Sequence, residues 1–287
     1  MQRLPDFLKR GIIDTDATKK VRRILSDKNL NTVCESARCP NKGECYAKNT
    51  ATFLVMGTTC TRNCRFCNIS TGKPENIDIE EPLNIAKAVE ELGLKYVVIT
   101  SVTRDDLPDG GAKHFADTIY EIRKLAPKTR IEVLTPDFKG DEKAIQTVIE
   151  AAPNVFNHNI ETVPDIYSKA RPQAIYNRSL EFLKYIKQND QNILTKTGLM
   201  LGLGETKEQL IEVFKDLKEI NCDIVTIGQY IQPTKLHLPV EKYYEPQEYK
   251  DLTKIAKEIG IKHTFFSPLT RSSYKALEVF SEDCESI

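Results

Sequence analysis

The sequence has no excess of either charge. Its 287 residues carry 41 Lys and Arg against 41 Asp and Glu, so the chain as a whole offers no electrostatic case for binding nucleic acid or a membrane surface. No stretch approaches the roughly 20 apolar residues of a membrane span, and the opening MQRLPDFLKR has no apolar run of the signal-peptide kind. Low-complexity tracts, fixed-period repeats and Gly/Ser- or Pro-rich linkers are missing, which speaks against fibrous and tethered architectures. Eight cysteines are too dilute to staple a disulfide scaffold. The expected compartment is therefore cytosolic and reducing, which leaves thiols available as ligands. The four histidines, His114, His158, His237 and His263, show no metal-binding spacing, and His158 reads as a satisfied core histidine.

What is present is globular. The composition is 40% hydrophobic and 29% charged, enough for a sizeable core. From Ala51 onward, short β-branched runs alternate with longer amphipathic stretches. Strands are expected at 51–57, 95–101, 130–135, 154–160, 194–201 and 223–230, with helices around 81–93, 113–125, 141–152, 177–189, 206–220 and 246–260. Thr206 and Gln209 form a plausible capping box for the fifth helix. This alternation predicts an α/β fold, a partial (β/α)6 TIM-like barrel, although a doubly wound open sheet has the same periodicity. Polar or glycine-rich residues follow directly on the strand ends: Thr58 to Cys60, Ser101 and Arg104 to Asp106, Pro136 and Asp137, Asn159 to Thr162, Gly202 to Thr206, and Gln229 to Pro233. Carboxyl ends of parallel strands are where α/β folds build active sites, which favours the barrel. The organisation expected is an N-terminal extension at 1–49, a barrel at 50–260 and a C-terminal extension at 261–287. Charge is also uneven, since residues 1–48 hold a net +5.

Six of the eight cysteines fall within 34 residues. Cys60, Cys64 and Cys67 form C-x3-C-x2-C directly after the first expected strand. A structural zinc wants four ligands, as does an ordinary electron-transfer cluster, whereas a cluster held by three thiolates leaves one iron open for a substrate or cofactor. Spacing alone leaves an open iron–sulfur site, a zinc site with a distant fourth ligand, and inert core cysteines as alternatives. Upstream, Cys34, Cys39 and Cys45 form C-x4-C-x5-C, and Pro40, Asn41 and Gly43 predict a turning, non-helical backbone between them. Six thiolates exceed any single structural zinc site. Cys222 and Cys284 stand apart and read as buried or tail thiols.

The C-x3-C-x2-C with Phe66 before its last cysteine resembles the signature of radical S-adenosylmethionine (SAM) enzymes. The upstream set, together with RSSY at 271–274, resembles the lipoyl synthase family in particular. The likeness extends through TVCESARCPNKGEC, ITSVTRDDLPDGGAKHFA, IEVLTPDF, VFNHNIETV, TKTGLMLGLGET and TIGQYIQPT, nearly the whole chain. It implies a sulfur-transferring enzyme that inserts two sulfur atoms at carbons 6 and 8 of an octanoyl group carried on a protein. Those methylenes have no acidity for a general base to exploit, which fits the lack of an obvious catalytic histidine or carboxylate pair.

The same resemblance implies a division of labour. Cys60, Cys64 and Cys67 hold a 4Fe-4S cluster that cleaves SAM to the radical that abstracts hydrogen. Cys34, Cys39 and Cys45, with Ser273 of RSSY on the fourth iron, hold a second 4Fe-4S cluster consumed as the sulfur donor. A serine is a less suitable iron ligand than thiolate, which fits a corner built to be released. Gly198 to Glu205 resembles the element that supports the adenine of SAM, through Gly202 and Glu205. Phe66, Ser101, Glu161 and Lys196 are the further cofactor contacts expected. The implied partners are an octanoylated lipoyl carrier domain or H-protein, a ferredoxin- or flavodoxin-type reductant and an iron–sulfur delivery protein, with no nucleic acid and no membrane. The basic N-terminal segment is expected to help dock an acidic carrier. The competing readings are another radical SAM sulfur-transfer enzyme, of methylthiotransferase type, and a two-cluster electron carrier. RSSY and the upstream spacing oppose the first, and the lack of a fourth cysteine in either set opposes the second.

Overall fold

The structure, a computed structural model, describes residues 3–273 apart from 10, 12, 14, 38, 49 and 50. The chain forms two compact units, one built from 10–62 and 68–156, the other from the residues up to Lys9, Asn63–Cys67 and the chain from Asn157 onward.

In the first unit, strands Thr52–Val55, Tyr96–Ser101 and Arg130–Leu134 run parallel, with Thr52 opposite Val98 and Tyr96 opposite Arg130. A two-residue strand, Asn31–Thr32, pairs antiparallel with the first of them. All four residues of Thr52–Val55 are buried, as expected where helices cover a parallel sheet. Helices Glu81–Leu92, Ala112–Leu125 and Glu142–Glu150 bury Ile85, Val89 and Leu92, then Phe115, Ile119 and Ile122, then Ile145, Val148 and Ile149, each series at helical spacing. Gly93 ends the first of these helices in the left-handed conformation, and the Asp141 carboxylate caps the third. The chain passes to the second unit within the short strand Val155–Asn157.

The second unit contains the parallel strands Leu194–Leu201, Ile224–Gln229 and His263–Phe266, with Lys196 and His263 both opposite Ile224. Helices Pro164–Ala170, Tyr176–Asn189, Lys207–Glu219 and Pro246–Ile259 belong to it. The Thr206–Gln209 capping box is present in both directions.

All six expected strands and six expected helices are found, the strand ends shortened where local geometry interferes. The first strand stops at Val55 because Met56 and Gly57 adopt positive φ, 67° and 92°, and turn the chain. A seventh strand, His263–Phe266, went unrecognised, its four residues being too few for a period and flanked by lysine. The helix Asp16–Asp27 was likewise missed, because its buried Val21, Ile24 and Leu25 are outnumbered by charges. One expectation is corrected. The backbone of the upstream cysteine set is not wholly non-helical: Cys34 sits in a one-turn helix, Val33–Ser36, capped by Thr32, and Cys45 in Lys42–Ala47, which tolerates Gly43 inside it. Among the described residues no helix is long and apolar enough to cross a membrane.

Candidate functional site

The first half of the C-x3-C-x2-C loop is set by the turn after Thr52–Val55. Glu81 Oε2 accepts from the backbone N–H of Met56 at 2.9 Å and is itself 2.7 Å from His114 Nε2, while Arg104 donates to the Met56 carbonyl at 3.2 Å. The chain then forms a two-residue bridge, Thr59–Cys60 beside Ser70–Thr71. The Cys60 sulfur accepts two backbone N–H groups, from Arg62 at 3.4 Å and Thr103 at 3.3 Å. These two contacts fix the position of the sulfur at the start of the loop. Arg62 is buried, and burial alone would weaken its charge. Paired Asp105 at 2.7 and 2.9 Å and the fully buried Asp137 at 2.7 Å outweigh that cost and raise its pKa.

The second half belongs to the other unit and is held through its backbone. Asn63 N–H donates to Gln173 Oε1 and Arg65 N–H to the Ala170 carbonyl, both at 2.9 Å. Cys67 N–H returns to the Cys64 carbonyl at 3.1 Å, closing a turn that brings both cysteines onto one short arc. Leu238 N–H donates to the Arg65 carbonyl at 3.0 Å, and His237 Nε2 lies 2.9 Å from the Cys67 carbonyl. His237 and Arg62 were both missed as site residues. Neither has a ligand-like spacing, and their partners are distant in sequence.

The strand ends of the second unit carry the expected cofactor contacts. Glu205 is buried and accepts from Gly202 N–H at 2.6 Å and Leu203 N–H at 2.9 Å, so its carboxylate shapes the glycine turn. Gly202 has φ 103°, and a Cβ there would run into Gln229 Nε2 and the Lys242 carbonyl, so only glycine fits. Glu161 holds a left-handed backbone, φ 66°, fixed by Glu161 N–H to the Gly198 carbonyl and Met200 N–H to the Glu161 carbonyl. Burial pushes its carboxyl up, opposed by Arg171 and by a hydrogen bond from Asn159. Lys196 is buried on the neighbouring strand, and Phe66 is half-buried in the cysteine turn. In the first unit, Ser101 Oγ is buried at the end of its strand with no hydrogen-bond partner among the described residues, an orphan that a polar ligand group would satisfy.

Two glycines bring the RSSY segment in. A Cβ on Gly228 would strike the Thr270 carbonyl, and one on Gly198 would stand 2.7 Å from Ser272 Oγ. Ser272 and Ser273 form a half-buried turn, and Tyr274 lies outside the described residues.

The upstream set lies in the first unit. Cys39 N–H donates to the Cys34 carbonyl at 3.1 Å, and the neighbouring thiols contribute to raising the pKa of Cys34 and Cys45. Burial is the larger cause, pushing Cys34 up to about 11 and Cys45 to about 12. Asn68 Nδ2 donates to the Ser36 carbonyl at 2.9 Å, and the Tyr46 hydroxyl is buried 2.8 Å from Thr32 Oγ1. Among the described residues no three Cys, His, Asp or Glu side chains close around a single ion. The donor chemistry, three neighbouring thiols in each stretch of sequence, fits the spread ligand set of an iron–sulfur cluster. Cys222 is buried with its sulfur against the Thr195 and Ile224 carbonyls, and burial pushes it to about 12, as expected of a structural thiol. Cys284 lies outside the described residues. His158 is a satisfied core histidine, 3.0 Å from Ser179 Oγ.

Comparison with known proteins adds the following. A profile of the radical SAM superfamily matches residues 54–217. The lipoyl synthase of Caldanaerobacter subterraneus subsp. tengcongensis is 55% identical over 274 residues, 96% of either chain. That of Rubrobacter xylanophilus is 52% identical over 96% of this chain and 85% of its own. Among solved structures, Streptococcus suis SuiB bound to S-adenosylmethionine superposes with TM-score 0.59 at 14% identity, over 79% of this chain and 54% of that longer one. Methylornithine synthase superposes with TM-score 0.52 at 15% identity, over 95% of this chain and 90% of its own. The structural likeness shows the fold, the partial barrel of radical SAM enzymes.

Proposed function

The chain belongs to the lipoyl synthase family of radical SAM enzymes, and from that premise we propose how its own residues divide the work. The family's reaction transfers sulfur and uses a 4Fe-4S cluster and SAM. An octanoylated carrier and a reductant are its general requirements.

Cys60, Cys64 and Cys67 hold the cluster that engages SAM, and Cys34, Cys39, Cys45 and Ser273 hold the one that donates sulfur at carbons 6 and 8. The chemistry supplied by the first group when bound is one-electron cleavage of SAM, which gives the protein access to unactivated C–H bonds. The chain's contribution is placement. Backbone N–H groups fix the Cys60 sulfur, Ser101 offers a hydroxyl without a partner among the described residues, and Gly202 leaves room for Gln229 and the Lys242 carbonyl to pack against the glycine turn. Glu161 and Lys196 would hold the charged ends of SAM and Phe66 its adenine, and Ser273 would serve as a ligand of the donor cluster. The close approach at Gly198 and Gly228 supports this role by bringing its segment against the strands. In this reading residues 1–49 carry the donor-cluster ligands, 50–260 the barrel and 261–287 the RSSY segment. The helix Asp16–Asp27 exposes Lys19, Lys20, Arg22 and Arg23, a basic face that would dock an acidic carrier. The compartment is cytosolic, where a ferredoxin- or flavodoxin-type reductant and a cluster-delivery protein would serve it.

The observation that carries the reading is the Cys60 sulfur receiving two backbone donors at the head of the C-x3-C-x2-C sequence. Metal and sulfide analysis of anaerobically purified protein tests it. About eight irons and eight sulfides per chain support two four-iron clusters, and zinc without sulfide overturns it.

A further inference from the structure

The arc from Asn63 to Cys67 is held at alternate residues by partners from outside it: Gln173 at Asn63, Ala170 and Leu238 at Arg65, and His237 at Cys67. The two contacts at Arg65 are made by backbone groups of Ala170 and Leu238, whereas those at Asn63 and Cys67 each come from one side chain, the Gln173 carboxamide and the His237 imidazole. A carbonyl oxygen can only accept, so the His237 Nε2 must carry the hydrogen in its 2.9 Å contact with Cys67. The other ring nitrogen is 2.9 Å from Thr234 Oγ1, which in the neutral ring donates to it. Thr234 therefore sets the tautomer that lets His237 donate.

The turn that delivers the ring is built for the purpose. Leu236 N–H donates to Thr234 Oγ1 at 3.2 Å and His237 N–H to the Thr234 carbonyl at 3.1 Å, while Gln232 Nε2 donates to the His237 carbonyl at 2.9 Å. Leu236 at the tip is 96% exposed, whereas His237 is half-buried and Leu238 buried. Tyr230 Oη clamps the far side through the Leu238 carbonyl at 2.8 Å.

We propose that His237 is a positioning residue for the radical cluster. Its Nε2–H anchors the peptide after Cys67, and Thr234 orients the ring, so that the third thiolate is presented in the geometry that keeps one iron open to SAM. This inference rests on the reading of Cys60, Cys64 and Cys67 as cluster ligands. Bonds from an outer partner commonly tune a cluster by orienting its ligands rather than by touching the metal.

The test compares His237→Phe, which keeps the ring bulk and removes the donor, with His237→Gln, whose Nε2 can reach the same carbonyl. The full chain is reconstituted anaerobically, and the reduced cluster is followed by electron paramagnetic resonance before and after SAM is added. In the iron-free protein, iodoacetamide labelling of Cys67 relative to Cys64 reads the loop without any cluster. Expected for His237→Phe are an altered SAM-induced spectrum, Cys67 labelling changed about 5-fold and SAM cleavage slowed about 10-fold. His237→Gln should recover most of each. A spectrum and labelling ratio unchanged in His237→Phe overturn the proposal. So do equal losses in both variants accompanied by a lower melting temperature of the iron-free protein, which would mark a merely structural role. Cys64→Ala run in parallel separates the two readings. A SAM-induced spectral change that survives in it sinks the ligand assignment, whereas its loss beside an unaffected His237→Phe sinks only the role of His237.

Discussion

Ser272 Oγ donates to Asn159 Oδ1 at 2.8 Å across 113 residues of sequence, and Asn159 in turn donates to Glu161 at 3.1 Å. The RSSY segment is thus tied to the strand ends that also carry the expected SAM contacts. The tie requires Gly198, where a Cβ would sit 2.8 Å from Asn159 Oδ1 and 2.7 Å from Ser272 Oγ.

Gly198→Ala should therefore push Ser272, and Ser273 with it, away from the strand. The expected result is about four irons per chain instead of about eight, SAM cleavage that persists, and no sulfur insertion. Iron analysis beside the two activities checks this. Full iron loading and unimpaired lipoyl formation would count against a ligand role for Ser273.

The two cysteine sets should separate in function. Cys64→Ala is expected to abolish reductive cleavage of SAM, whereas Cys39→Ala should retain part of it and yield no lipoyl groups. Chromatography of 5′-deoxyadenosine and mass spectrometry of the carrier make the measurement. Lipoyl product from Cys39→Ala would rule out the upstream set as the sulfur source.

Arg62, within the cysteine stretch, forms a buried ion pair with Asp137. Removing one partner leaves the other charge in a poorly solvated site, so Asp137→Ala should destabilise the protein by about 3 kcal/mol in urea unfolding. The double variant Arg62→Met with Asp137→Leu should recover part of that loss while still losing cluster order. Asp105 also faces Arg62, so a cost below about 1 kcal/mol for Asp137→Ala would show that Asp105 alone suffices.

Asp223 supplies a pH test. Burial would raise its carboxyl, but hydrogen bonds from Lys187 at 2.8 Å and Lys262 at 2.7 Å, with Thr195 N–H at 2.9 Å, hold it below the usual range. A group with a depressed folded pKa contributes stability above its unfolded pKa of ~3.9 and loses it as pH falls through the folded value. Asp223→Asn should thus cost about 2 kcal/mol near pH 7, with the difference from the parent shrinking below about pH 4. Denaturant midpoints at the two pH values measure it, and a gap of the same size at both would refute the linkage.

Glu205 closes the glycine turn with both of its oxygens. Glu205→Ala leaves two buried N–H groups without partners, at about 1–3 kcal/mol each, and should raise the KM for SAM. Glu205→Gln keeps one good acceptor and should fall between. Titration of SAM binding to the reconstituted variants gives the comparison.

The sequence by itself determined the two three-cysteine sets, the six strand and helix pairs and the family likeness. The thiols of one set must reach one centre from a short stretch of chain, so their spacing is written locally. Burying one face of each helix likewise imposes a local period, as at Leu210, Phe214 and Leu217. Only the tertiary structure decided what holds those elements in place. Arg62 meets Asp137 across 75 residues, Ser272 meets Asn159 across 113 and His237 meets Cys67 across 170. Such pairs leave no period and no motif, because a hydrogen bond needs the right atoms at about 3 Å in space and is indifferent to the length of chain between them. His237 shows the consequence: it has no ligand spacing in the sequence, and its contact with the Cys67 carbonyl comes only from the return of the chain after Ile224–Gln229.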